Sequence, residues 1–134
     1  MKKLDKKIVI IASVLGAVTI AIGAFGAHGL KELVDVGAIS SFETGVRYQM
    51  YHVIVLLIIG FAPPLSVSAK KWVLRFFCVG MLLFSGSIYL LALKEVLPFS
   101  VKFLGPVTPL GGLLLILGWL RLGYGLFKLK SKQF

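Results

Sequence analysis

Two histidines, His28 and His52, and a few hydroxyl, amide and carboxyl side chains around them are the groups in this sequence whose types suit chemistry. His52 could relay a proton, because an imidazole changes charge near physiological pH. Its plainer role is a neutral ring bonded to a Ser or Tyr on a neighbouring helix. Tyr48 and Gln49 stand one turn before it, and Ser85, Ser87 and Thr108 supply hydroxyls further along the chain. Glu43 and Arg47, four residues apart, make an expected ion pair. His28, Glu43, Arg47, Tyr48, Gln49, His52, Ser85, Ser87 and Thr108 together form the candidate polar cluster. Two histidines with no cysteine or acid cluster beside them are a poor ligand set, so no metal, haem or other cofactor is expected. The chain has no G-x-S-x-G nucleophile turn, no P-loop and no dinucleotide fingerprint. Cys78, the lone cysteine, lies in an apolar run and reads as a small packing residue. No catalytic residue follows from these patterns, and the expectation is that the protein is not an enzyme.

The elements that must position these groups are unusually greasy. Of 134 residues, 58% are hydrophobic, a further 15 are glycine, and only 15% are charged, against roughly 25% charged in soluble domains. A globule this small has too little interior to hide so much apolar surface. A soluble enzyme and a disordered tail are excluded, and lipid must be the solvent for most of the chain. One membrane domain, 1–134, is expected, with spans at about 8–27, 42–62, 72–93 and 107–127, since crossing a hydrocarbon core takes roughly 20 helical residues. Strands are excluded because these runs lack the polar alternation of a barrel wall. The first run follows Lys2, Lys3, Lys6 and Lys7 in the manner of a signal peptide, but its length marks it as an uncleaved first helix.

Charge then orients the bundle. Eleven of the fifteen basic residues fall at the N-terminus, in the 70–75 segment (Lys70, Lys71, Arg75) and at the C-terminal end (Arg121, Lys128, Lys130, Lys132). Lys31, Arg47, Lys94 and Lys102 fall on the other side, with Glu32, Asp35, Glu43 and Glu95. The positive-inside rule puts both termini in the cytoplasm. The net charge of +10 is therefore read as topology and attraction to anionic lipid, not as a nucleic-acid face.

Local signals set the expected boundaries. Ser40 and Glu43 fit a capping box that starts the second helix at Ser41, Pro63-Pro64 ends it, and Thr108-Pro109 reads as cap and first residue of the fourth. Leu30 to Ile39 is a surface helix or loop. On this scheme His52 sits about 15 Å above the inner boundary, with Tyr48, Gln49 and Ser85 all near 20 Å. The polar cluster thus occupies the outer half of the bundle. Ser13, Ala17 and Ala21 with Gly16 and Gly23, Gly80 with Ser85-Gly86-Ser87, and Gly111, Gly112 and Gly118 allow close helix approach. Packing within the bundle is their first reading, and a dimer contact or a substrate path the alternative.

The segments 23–30 (GAFGAHGL), 44–52 (TGVRYQMYH), 84–89 (FSGSIY) and 105–112 (GPVTPLGG), with Gly118-Trp119, occur in an order that resembles a family of small membrane proteins. That family is domain of unknown function 423, also called UPF0382. The resemblance covers nearly the whole chain; the basic N-terminal extension and the Glu95 to Lys102 insert depart from it without touching a motif. It implies a multi-span protein of the bacterial cytoplasmic membrane and carries no reaction, substrate or catalytic residue. The expected fold is an all-α integral membrane four-helix bundle. The expected function is a non-enzymatic membrane protein whose polar cluster orders the bundle or engages lipid or a protein partner, a second copy of itself included. The alternatives are a small oligomeric transporter or channel with a polar path through the outer half, and, behind it, a subunit of a redox or lipid-modifying complex.

Overall fold

The computed structural model describes residues 1–130 and is all-α, with no strand among those residues. Its helices are α1 (Lys3–Ala27), α2 (Val36–Gly60), α3 (Val67–Ala92) and α4 (Val107–Phe127), with short 3-10 turns at Gly29–Glu32 and Lys102–Leu104. They run alternately up and down, and α1 packs on α2, α2 on α3 and α3 on α4. Lys132, counted above with the basic tail, lies outside the described residues.

Three segments are long and apolar enough to cross a membrane: Lys3–Glu32, Val67–Ala92 and Lys102–Phe127. The helix α2 has 25 residues and matches them in length, but Glu43, Arg47, Gln49 and His52 dilute its apolarity. Its buried positions Phe42, Gly45, Gln49, His52, Leu56 and Ile59 alternate by three and four residues, the spacing of a seam facing neighbouring helices. The polar side chains on that seam therefore meet protein rather than lipid.

Two helix caps differ from expectation, and α1 and α3 each begin about a turn before their apolar runs. The cap of α2 is Asp35, whose carboxylate accepts from the Ala38 N–H at 2.8 Å. Ser40 consequently lies inside the helix, and its capping box with Glu43 does not form. Asp is a strong cap acceptor, and Val36 to Ile39 simply continue the helix from it. At α4 the cap is Pro106, so Thr108 sits within the first turn and its hydroxyl is free to reach across to α3.

The seams are built from small residues, as lipid offers helices no hydrophobic drive to associate. Gly111, Gly118 and Gly125 recur every seventh residue of α4 and face the Phe84 backbone, the Phe77 ring and Ala69 of α3. Leu115 of α4 in turn fills the space over Gly80. Gly16 and Gly23 of α1 face Val53 and Val46 of α2. Ser13, Ala17 and Ala21, in contrast, lie on the exposed side of α1, and the Ser13 hydroxyl bonds only its own helix at Val9 O.

The two ends of the bundle differ in charge. Where α1 and α3 begin, Lys70 is buried and its Nζ donates to Asp5 Oδ1 at 2.7 Å, tying the two helices together. Lys2, Lys3, Lys71 and Lys128 belong to this same end, hereafter the basic end.

Candidate functional site

The polar side chains between the helices form hydrogen-bonded chains with α2 as their hub. Tyr89 of α3 donates its hydroxyl to Gln49 Oε1 at 2.6 Å. Gln49 Nε2 donates to Thr19 Oγ1 of α1 at 2.8 Å, and Thr19 donates to Leu15 O at 2.6 Å. One amide thus uses both ends of its dipole to join three helices. Nearby, Ser85 of α3 donates to the Gly45 carbonyl of α2 at 2.7 Å. The Ser87 and Thr108 hydroxyls share a short bond that joins α3 to α4, and Ser87 also donates to Phe84 O.

The second hub is His52, which is almost fully buried. Its Nδ1 lies 2.6 Å from Tyr48 O, and Trp119 Nε1 of α4 lies 3.0 Å from its Nε2. A carbonyl can only accept and an indole N–H can only donate. These partners fix the neutral tautomer with hydrogen on Nδ1 and the Nε2 lone pair turned to Trp119. The ring is also wedged edge-on against Phe77, with centroids 4.7 Å apart, and against Trp119 at 5.8 Å. A proton added at Nε2 would set two donors against each other.

Of the nine residues singled out from the sequence, Gln49, His52, Ser85, Ser87 and Thr108 make bonds between helices. Tyr48 contributes its carbonyl to His52, but its phenol is exposed beside Tyr51 and Phe84. Glu43 and Arg47 lie on the exposed side of α2, about half a turn away from the Gly45 and Gln49 seam. Their expected ion pair does not form, and Arg47 donates instead to Thr44 Oγ1 at 3.1 Å. His28 caps the end of α1 through its backbone N–H, with an exposed side chain. Residue counting gives a height along the helix, but the side each of these four faces decides its place.

Thr19, Tyr89 and Trp119 complete the network and were not singled out. Their signal lay in the seam spacing of α2: its two polar members, Gln49 and His52, need donors and acceptors from the adjoining helices. Thr19 is one of only two hydroxyl residues in α1. Among the described residues, no buried side-chain nitrogen or oxygen lacks a partner. None of these residues forms a His, Cys, Asp or Glu group suited to a metal ion, again among the described residues.

A cavity of about 740 Å³ opens at the end opposite the basic one, walled by Asp35, Ser41, Lys94, Glu95 and Thr108 among others. Of the network, Thr108 alone reaches its wall. The closed network and this open cavity are therefore separate features.

Comparison with known proteins agrees with the architecture. A family model described as "Protein of unknown function (DUF423)" matches residues 22–112. A UPF0382 membrane protein of Haemophilus influenzae is 34% identical over 96% of this chain and 99% of its own length. One from Staphylococcus saprophyticus is 40% identical over 92% of this chain and 99% of its own. The UPF0382 membrane protein YwdK of Bacillus subtilis is 34% identical over 87% and 93%. No solved structure matches the chain.

Proposed function

The chain belongs to the DUF423 family, the UPF0382 membrane proteins, and from that premise we propose that it is a non-catalytic bundle of four spans with both termini cytoplasmic. Its interhelical network locks the packing, and its outer surfaces engage lipid, a second copy or another membrane protein. No nucleic acid is involved. As a multi-pass protein of the cell membrane, it has α2 as a fourth span: 25 residues reach about 38 Å, and its polar seam is covered by α1, α3 and Trp119. The gathering of lysines at one end supports the cytoplasmic placement of both termini.

The observation that carries the structural role is the complete pairing of His52. Both ring nitrogens are engaged by partners that dictate a neutral ring, whereas a relay needs a site that can gain and release a proton. The test compares wild type with His52→Ala. The lock predicts a clear loss of thermal stability in detergent and no difference in proton flux between proteoliposomes carrying either form. A folded variant of unchanged stability whose flux is abolished would establish the transport role in its place.

A further inference from the structure

A second cavity, of about 660 Å³, lies at the basic end between the α2–α3 connection, the start of α1 and the last turns of α4. Lys2, Arg121, Lys128 and Lys130 line it together with Ser66 and Tyr124, and no carboxylate stands among the described residues of its wall. The acid closest in sequence, Asp5, is already held by Lys70. Tyr124 gathers the cations: the Arg121 guanidinium lies 5.5 Å from its ring centroid and the Lys128 ammonium 5.2 Å. Ser66 caps α3 at the same wall, where the first backbone N–H groups of that helix have no acceptor within it. Concave shape, positive charge and helix-end donors all suit a phosphate.

What distinguishes the phosphate's source is the surface leading away from the cavity. Leu117, Leu120 and Tyr124 are exposed at three- and four-residue spacing on α4, so an apolar track runs from the cations along the bundle wall towards the membrane interior. A free anion has no use for such a track; a diacylglycerol tail does. We propose that this cavity seats the headgroup of an anionic glycerophospholipid, phosphate against Arg121 and Lys128, acyl chains along Leu117 and Leu120. Basic pockets between spans bind anionic headgroups by the same physics.

This site deepens the reading of the surfaces as lipid-engaging, and it shares no residue with the His52 network, so either can fail without the other. The test counts lipid retained by the detergent-purified protein in native mass spectrometry, after titration with phosphatidylglycerol or phosphatidylcholine. Wild type is expected to retain phosphatidylglycerol in preference to phosphatidylcholine. Arg121→Gln with Lys128→Gln should weaken that binding about 10- to 30-fold, while Lys94→Gln with Lys102→Gln, removing equal charge at the opposite end, should leave it intact. Equal retention of both lipids by wild type overturns the proposal, even should the Arg121 and Lys128 variant fail to fold. So does undiminished binding by that variant, or an equal loss in the Lys94 and Lys102 variant, which would mark a net-charge effect. Displacement of the lipid by millimolar inorganic phosphate would assign the cavity to a free anion and overturn it as well.

Discussion

A buried polar side chain in a membrane protein raises one physical question first: where its hydrogen bonds go. Gln49 answers it by reaching a helix on each side, and His52 by bonding Trp119 of α4 and a carbonyl of its own helix, so their removal should act on stability through partners left behind. His52→Ala strands the Trp119 N–H, while the Tyr48 carbonyl keeps its helical backbone bond, and should cost about 1–3 kcal/mol of unfolding free energy. Trp119→Phe is a less specific test of the same bond, since it removes ring area packed on His52 and Phe77 together with the indole donor; the bond's own share is about 0.6 kcal/mol and at most about 1.7 in comparable membrane cycles. Along the other chain, Tyr89→Phe and Thr19→Val should couple through the shared Gln49 amide, so the double variant loses less than the two single losses combined in a denaturant titration. The sequence made Gln49, His52, Ser85, Ser87 and Thr108 legible because polar residues are few in the apolar runs. The sequence placed His28, Glu43 and Arg47 by depth alone, because residue counting does not give the side of a helix that a side chain faces. The three- and four-residue alternation through Phe42, Gly45, Gln49, His52, Leu56 and Ile59 contains that missing angle.

At the scale of the helix, close approach and end-to-end ties decide the packing. A methyl group at Gly111 would collide with the backbone at Phe84, whereas at Gly123 it would meet nothing within 4 Å. Gly111→Ala should therefore lower stability by about 1–3 kcal/mol through overpacking, and Gly123→Ala should leave the melting temperature unchanged or slightly raised. The α1–α3 tie makes a second, chemical prediction. Asp5→Asn leaves the buried Lys70 ammonium without its counterion and should cost about 3–5 kcal/mol, while Asp5→Leu with Lys70→Met should recover much of that loss. Thermal unfolding in one detergent orders all four variants. Helix number and approximate extent were readable from apolar length, yet the start of α2 was not. Ser40 and Glu43 satisfy the local pattern of a cap, but a pattern of four residues says nothing of the better acceptor, Asp35, more than a turn upstream. The small residues of α1 divide for a similar reason: glycines at 16 and 23 face α2, and the Ser13, Ala17 and Ala21 line faces outward.

The molecule as a whole combines a basic end, three strongly apolar helices and a fourth whose polar seam is hidden by its neighbours. Its topology yields a direct expectation. In a Cys78→Ala background, cysteines placed by Lys2→Cys and Lys128→Cys should resist an impermeant thiol reagent in intact cells, and Glu32→Cys and Lys102→Cys should react. Reaction at Lys2→Cys but not Lys128→Cys would put the ends on opposite sides and remove α2 as a span. Family membership is consistent with such a membrane protein, but the internal wiring is what separates a locked bundle from a conducting one. In that wiring α2 meets α4 at His52, with Phe77 of α3 against the same ring. Nitrogen-15 NMR of histidine-labelled protein in lipid bilayers at neutral pH reads that junction directly. A closed lock predicts one His52 form, protonated at Nδ1 and bare at Nε2; a ring protonated at Nε2, or at both nitrogens, would contradict it.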